Sequence, residues 1–264
     1  MEQEFIGKRT HLRNSKYHLD KIPAYFLTIL FIALSIIFWQ FGFRSSTFIA
    51  LPSQIIPSIP TIWGTYLASL TSTLPEYIIA LSLSLLIGVP FGFLIGWRES
   101  TYRSLNPLLG IALVTPKMAF IPLITLWLGI STDISAIALG TLLGMFPIIV
   151  NAVAGVRNTK PEHLLLAKSI GLSSSQVYRK VILPSFYPSL LVGIFLGSNL
   201  CMTGVLIMEM ILEHPGVGYL IEYYSNVFLT SSLYAAALLT VVITLSISGG
   251  LWFLSKHFEK RNSS

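Results

Sequence analysis

The sequence predicts an all-α polytopic membrane protein with six transmembrane helices. Of its 264 residues, 53% are hydrophobic and only 11% are charged, whereas charged residues make up about a quarter of an ordinary soluble domain. The mean hydropathy is +0.74. The apolar residues also fall into runs of about twenty, the helix length that crosses the hydrocarbon core of a bilayer. This composition excludes soluble, secreted, fibrous and disordered proteins.

The apolar runs define the spans in order along the chain. The predicted spans lie near 24–41, 75–97, 106–129, 134–155, 186–211 and 231–254. The first is longer than the apolar core of a signal peptide, and no A-x-A cleavage pattern follows it. We therefore expect the first run to remain in the protein as an uncleaved span.

The distribution of basic residues predicts the orientation. Fifteen of the seventeen Lys and Arg residues fall on one side of these spans, and the opposite loops contain only Arg44. The positive-inside rule then places both termini in the cytoplasm. The prediction is a multi-pass protein of the cytoplasmic (inner) membrane, with a cytoplasmic segment 1–23, a transmembrane domain 24–254 and a cytoplasmic tail 255–264. No solvated domain carries a basic patch interleaved with aromatics, so the net charge does not indicate nucleic-acid binding.

The segment 42–74 before the second span has two possible structures. It either lies in the membrane interface, with Trp63, Tyr66 and Leu67 as anchors, or forms the early turns of the second span, kinked at Pro75.

The cytoplasmic segment 156–185 is the most informative part of the chain. Thr159-Lys-Pro-Glu162 has the spacing of a capping box and predicts the start of a short helix. Gly171 is placed to end it in a left-handed conformation. Ser173-Ser-Ser-Gln176 is a second capping box that starts another helix. The segment therefore consists of two helices joined by an elbow, at which the apolar side chain of Leu172 projects. It serves either as a connecting loop or as a protein-docking surface.

Glycines recur every four residues within the predicted spans. Such repeats let helix backbones approach closely, either inside one bundle or between two copies of the chain. The repeats are Gly88, Gly92 and Gly96, Gly140 with Gly144, and Gly193 with Gly197.

Catalytic motifs are absent from the sequence. All five histidines fall outside the spans, and no H-E-x-x-H, G-x-S-x-G or Walker A sequence occurs. The lone cysteine, Cys201, is expected to be a packing residue. The sequence therefore predicts a transport subunit and not an enzyme, and any ATP hydrolysis must belong to a partner.

Two charged residues lie within apolar runs, where charges are costly and are often functional. Lys117 in the third predicted span either lines a substrate path or extends its ammonium group to the cytoplasmic interface. Glu209 lies at the outer end of the fifth span, where we expect it to cap or brace the outer mouth more readily than to bind substrate.

One motif resembles a known family. Leu165-Leu-Ala167-Lys-Ser-Ile-Gly171, followed by Val181-Ile-Leu183-Pro184, resembles the E-A-A-x-x-x-G and I-x-L-P signature of permease subunits of binding-protein-dependent ABC importers. Further segments resemble the nitrate, sulfonate and taurine branch from about residue 50 to the C-terminus. These segments are Leu51-Pro-Ser53, Gly88-Val-Pro-Phe-Gly92, Pro122 to Gly129, Phe146 to Asn151, Glu209-Met210 and Gly216 to Leu220.

The resemblance implies a type I ABC importer permease fold and a set of partners. It implies a second permease copy in a homodimer, two cytoplasmic ABC ATPase subunits that hold ATP and Mg, and a periplasmic or lipid-anchored substrate-binding protein. The chain would be surrounded by membrane lipid, and it would hold no cofactor of its own. The segment 156–185 would be the ATPase-coupling loop, with its elbow docked in a groove of the ATPase.

The residues that the motif assigns to ATPase coupling are Glu162, Leu165, Ala167, Gly171, Leu172, Ser173, Leu183 and Pro184. Two positions depart from the family pattern. Leu165 replaces the family's glutamate, for which Glu162 one turn earlier is a substitute. Glu76 stands where an arginine is usual.

The function that follows is import of a small anionic solute, such as nitrate, a sulfonate, taurine or bicarbonate, from a binding protein, driven by ATP hydrolysis on the partner. The alternative is an ion-coupled secondary transporter, followed by an intramembrane lipid enzyme. A secondary transporter would need buried acids or histidines to couple ion and solute movement, and an enzyme would need a set of catalytic side chains on facing spans.

Overall fold

The computed structural model describes residues 24–43, 48–129, 133–159 and 161–262, and its regular elements there are all helices. The predicted segment 1–23 and Arg44 lie outside the described residues. The helices are α1 Ala24–Gly42, α2 Pro52–Trp97, α3 Glu99–Val114, a 3-10 turn Lys117–Phe120, α4 Ile121–Leu128, α5 Asp133–Arg157, α6 Pro161–Ser169, α7 Ser174–Val177, a π turn Tyr178–Ile182, α8 Leu183–Ile211, α9 Val217–Asn226 and α10 Thr230–Asn262.

The described residues contain four helices long and apolar enough to cross a membrane, or five if one bent pair counts as a span. The four are α2, α5, the continuous helix Ser175–Ile211 and Thr230–Gly250. The first predicted span corresponds to α1, Ala24–Gly42, whose apolar stretch Phe26–Gly42 is shorter than the other four. The all-helical membrane architecture is thus confirmed, and within the described ranges the span count is four or five instead of six.

Most of the segment before the second span forms the first turns of α2, which is the second of the two predicted structures. Helix α2 runs without a break over 46 residues from Pro52 to Trp97. Tyr66 is fully buried, with its hydroxyl 3.0 Å from Thr240 Oγ1. It is therefore a packing residue and not an interfacial anchor, whereas Trp63 is exposed.

The third predicted span is not a single helix. Helix α3 ends at Val114, and the next helical segment, Lys117–Leu128, is inclined to it by 84°. Thr115 at the break is extended, because a residue that precedes proline, here Pro116, is disfavoured in the helical conformation. The predicted span over 106–129 is therefore a bent pair of helices, which counts as one span only if it is taken as broken.

The glycine repeats pack helices of this chain against one another. A Cβ on Gly92 of α2 would lie 2.5 Å from Ala152 Cβ and 2.5 Å from the carbonyl oxygen of Ile149 on α5. A Cβ on Gly144 of α5 would collide with Cys201 Sγ on α8. The repeats therefore serve packing within one bundle, with Cys201 as a buried packing residue.

Substitution of Gly92 tests this packing. Gly92→Leu should destabilise the folded chain by at least about 2 kcal/mol, because the added side chain overlaps the backbone of α5. Gly110→Leu is the matched control, since Gly110 is also helical and a Cβ there meets nothing within 4 Å. Thermal unfolding of the purified chain in detergent measures both, and equal melting temperatures for the two variants would contradict the packing argument.

Candidate functional site

The first helix of the 161–182 segment, hereafter the elbow segment, presents apolar side chains to its surroundings. Ala167 is buried at 3% exposure, while Leu165 and Leu166 are 64% and 61% exposed. Glu162 is exposed one turn before Leu165. The predicted capping box at Thr159 does not form, because Thr159 Oγ1 is buried without a hydrogen-bond partner among the described residues.

Gly171 ends α6 as the sequence predicts. Its φ is +74°, in the left-handed region that glycine adopts without strain. The amide of Leu172 donates to the carbonyl oxygen of Ala167 over 3.0 Å, which is the 6→1 bond of a Schellman motif. A Cβ at Gly171 would meet nothing within 4 Å, so the constraint on this position comes from the backbone alone.

The second predicted capping box is confirmed. The amide of Ser173 donates to Gln176 Oε1 over 2.9 Å, and the amide of Gln176 lies 3.4 Å from Ser173 Oγ. Helix α7 continues through the π turn Tyr178–Ile182 into α8. The π turn lies directly before Leu183 and Pro184, which open α8.

Leu172 does not project from the elbow as expected. It is half-buried and lines a cleft of about 440 Å³ between the two arms of the segment. The other lining residues are His163, Leu166, Ala167, Ile170, Lys180, Val181, Pro184 and Ser185. The exposed apolar surface belongs instead to α6 and to Ile170, which is 65% exposed.

A cluster of aromatic rings attaches the elbow segment to the end of α2. Phe93 and Trp97 of α2 both contact Tyr178 of the π turn, with ring centroids 5.4 and 6.0 Å apart. Phe93 also packs edge-to-face against Phe186 at 5.9 Å. Sequence reasoning missed this cluster, although aromatic residues at positions 93 and 97 share one face of a helix.

Two arginines and a glutamate tie α3 to the end of α5. Glu99 pairs with Arg103 at 2.7 Å and with Arg157 at 2.5 Å. The Arg157 guanidinium also lies 4.4 Å from the centroid of the Tyr102 ring. These contacts fix the start of the chain segment that leads into α6.

Lys117 lies at the break between α3 and α4. Its Nζ donates to the carbonyl oxygen of Leu113 over 3.1 Å and lies 5.0 Å from the centroid of the Phe146 ring on α5. No carboxylate of the described residues pairs with it. An ammonium group has three donors, so this lysine has capacity for a further acceptor.

Glu209 lies at the opposite end of α8 from the elbow segment and is fully buried. Its Oε1 accepts from Thr73 Oγ1 over 2.6 Å, and its Oε2 accepts from the amide of Gly218 over 2.7 Å. The Thr73 hydroxyl oxygen in turn accepts from the amide of Val217 at the start of α9. Glu209 thus braces the first turn of α9, and both its oxygens have donors within the chain.

Comparison with known proteins agrees with these features. Residues 88–264 match the family model described as binding-protein-dependent transport system inner membrane component. The taurine transport system permease protein TauC of Escherichia coli K12 is 26% identical over 262 residues, which cover 95% of each chain. The formylaminopyrimidine transport permease protein ThiX of Halalkalibacterium halodurans is 30% identical over 196 residues, covering 73% of this chain and 78% of ThiX.

The relatives are named for several solutes. The riboflavin transport system permease protein RibX of Chloroflexus aurantiacus is 29% identical, with 94% of each chain covered. Permeases named for aliphatic sulfonates and for nitrate also match.

A solved structure shares the fold. The crystal structure of an amino acid ABC transporter with histidines superposes with a TM-score of 0.60 at 16% identity, covering 77% of this chain and 97% of that one. The type I importer fold predicted from the motifs is confirmed by this likeness. The matched family model covers most of the chain, and the chain therefore belongs to the binding-protein-dependent transport system inner membrane components, the permease subunits of ABC importers.

Proposed function

We propose that this chain passes a small anionic solute from a binding protein across the inner membrane, driven by ATP hydrolysis on a partner that docks at the elbow segment. The observation that carries the proposal is the elbow itself. The short helix α6 and the start of the long helix that continues into α8 are joined through Gly171 and the Ser173 capping box, and α6 leaves apolar side chains uncovered. A surface of this kind fits a groove on another protein.

The proposed ATPase contact consists of the exposed face of α6. Leu165 and Ile170 supply apolar surface, and Glu162 supplies a charge at its edge. Ala167 is buried, and Ala167 and Leu172 both line the cleft between the arms. The docking surface is therefore α6 and Ile170, with Gly171 and Ser173 setting its orientation.

Movement of the elbow reaches the bundle through a continuous helix. The second arm has no break between Ser175 and Ile211, and Leu183 and Pro184 lie at the junction with α8. The aromatic contacts of Tyr178 couple the same arm to α2. A displacement imposed by the ATPase would thus shift α8 and α2 together.

The proposed assembly follows the family arrangement. It comprises two copies of this chain as a homodimer, two cytoplasmic ATPase subunits and a periplasmic or lipid-anchored binding protein. Family membership supports the ATPase and the binding protein as partners. The elbow segment and both termini would face the cytoplasm.

The anionic character of the solute is supported by Lys117. It lies at a break in the apolar helices, half-buried, without a carboxylate partner among the described residues. A cation in such a position lowers the electrostatic barrier for an anion. The name of TauC, a taurine permease, is consistent with a solute that carries a sulfonate.

Gly171→Val tests the coupling proposal. Valine resists the left-handed conformation by about 1–2 kcal/mol, so the angle between the two helices should change and both substrate uptake and stimulated ATP hydrolysis should fall severalfold. Gly171→Asn is the control, because asparagine tolerates this conformation and should keep most of both activities. The measurement is ATPase activity and uptake by the reconstituted complex, and full activity of the valine variant would show that the segment is only a loop.

Reporter fusions test the orientation. Alkaline phosphatase, which is active only outside the cytoplasm, should be active when fused after Arg44 or Glu222 and inactive after Arg103 or Lys168. We expect this pattern because the basic residues cluster on the side of the elbow segment, and such residues are retained in the cytoplasm. The reverse pattern would contradict the proposed topology.

Lys117→Met tests the substrate path. Loss of the ammonium group should reduce uptake of an anionic solute by about tenfold or more if the charge lines the path, while Lys117→Arg should retain most of it. Uptake into proteoliposomes that contain the complete transporter measures this. Equal uptake by the methionine variant and the unmodified protein would assign Lys117 a purely structural role.

A further inference from the structure

Three metal-ligating side chains from separate parts of the chain meet at the end of the bundle opposite the elbow segment. Glu76 comes from α2, Asp133 is the first residue of α5, and His214 lies between α8 and α9. His214 Nε2 is 3.1 Å from Glu76 Oε1 and 2.7 Å from Asp133 Oδ1. We propose that these residues form a binding site for a divalent transition-metal ion, with Zn²⁺ as the fitting probe.

The donor set and its spacing suit this class of ion. One imidazole and two carboxylates are ligands that Zn²⁺ accepts, with a fourth position open to water. One ligand atom from each residue lies within 4.8 Å of the others. Ligands bonded at about 2.1 Å around a tetrahedral zinc lie about 3.4 Å from one another, so only a small movement separates the present arrangement from a bound one.

The observation that favours a cation site most strongly is the environment of Glu76. Its side chain is only 4% exposed, and its Oε2 has no hydrogen-bond partner among the residues described. The carboxyl group also lies beside that of Glu209, with which it can share a proton, and the oxygens of Glu209 already accept from Thr73 and Gly218. A buried carboxylate without a counter-charge is costly, and a metal ion would supply one.

The balance of charged side chains at this end of the bundle also favours a cation site. Two carboxyl groups, those of Glu76 and Asp133, contact a single imidazole, and a third, that of Glu209, lies beside Glu76. Across the described ranges, no lysine or arginine forms an ion pair with any of the three. A divalent cation would neutralise this excess, and protonation of the carboxyl groups is the alternative that the zinc titration below distinguishes.

The histidine is oriented for ligation. Its Nε2 points at both carboxylate oxygens, and its Nδ1 is buried without a hydrogen-bond partner in the described structure. In the metal-bound form Nε2 would donate its lone pair to the ion and the ring proton would reside on Nδ1. The ion would then join α2, α5 and the connection between α8 and α9 at one point.

This site extends beyond the proposed function, because it involves neither the elbow segment nor the ATPase. Its consequence is mechanical. A metal ion would restrain the relative movement of α2 and α5 next to the contact in which Glu209 braces α9.

Zinc binding by the full chain tests the proposal. The protein is purified in detergent, stripped with a chelator, and titrated with Zn²⁺ by calorimetry, with the melting temperature measured in parallel. We expect the unmodified chain to bind Zn²⁺ and to melt at a higher temperature with it. Asp133→Asn and His214→Gln should each weaken this binding by more than about tenfold and abolish the thermal shift.

The controls separate loss of a ligand from loss of the fold and from binding elsewhere. Asp133 is 71% exposed, so Asp133→Asn leaves the packing of the bundle intact. His163→Gln removes a histidine of α6, far along the chain from this site, and should bind Zn²⁺ as the unmodified protein does. If the unmodified chain binds no Zn²⁺, or if Asp133→Asn and His214→Gln bind it as tightly, the proposal is overturned and the carboxyl groups share protons only.

Discussion

The close approach of helix backbones at glycine positions is the contact on which the rest of this structure depends. Gly92 of α2 packs on the backbone of α5, and Gly197 of α8 packs on the backbone at Gly144 of α5. Lipid is as apolar as a leucine side chain, so helices in a bilayer associate through van der Waals packing and not through the hydrophobic effect. Without side chains at these positions, the three helices can contact along their lengths.

This packing makes α8 a link between two ends of the bundle. Near the elbow segment, Ile182 and Phe186 are buried against Ala152 and Val156 of α5. At the far end, Glu209 binds Thr73 of α2 and the start of α9. A force applied to the elbow therefore acts on a helix that also holds the opposite end of the bundle, which is the mechanical arrangement that a coupled importer needs.

Buried polar groups show how specific the packing is. Tyr77 and Ser198 lie 2.6 Å apart across α2 and α8, and the Ser84 hydroxyl donates to the carbonyl oxygen of Thr141 on α5. Each pair satisfies a group that would be costly to bury alone. Glu76 departs from this pattern because one of its oxygens has no partner among the described residues, which is why its surroundings suggest a ligand.

The sequence by itself determined the membrane class, the family and the local conformation of the elbow. The left-handed conformation at Gly171 and the capping box of Ser173 and Gln176 involve residues at most a few positions apart, so their geometry follows from local sequence. The break after Val114 could also have been predicted from Pro116, although a count of apolar residues alone overlooked it.

The tertiary structure decided which side chains are buried and which meet. Thr73 and Glu209 are 136 residues apart, and their contact exists only because α2 and α8 pack together. Leu172, predicted to project, is half-buried because it lines a cleft whose other side consists of Lys180, Val181 and Pro184 of the second arm. Caps and turns depend on neighbouring residues, whereas burial depends on distant segments whose packing no local pattern specifies.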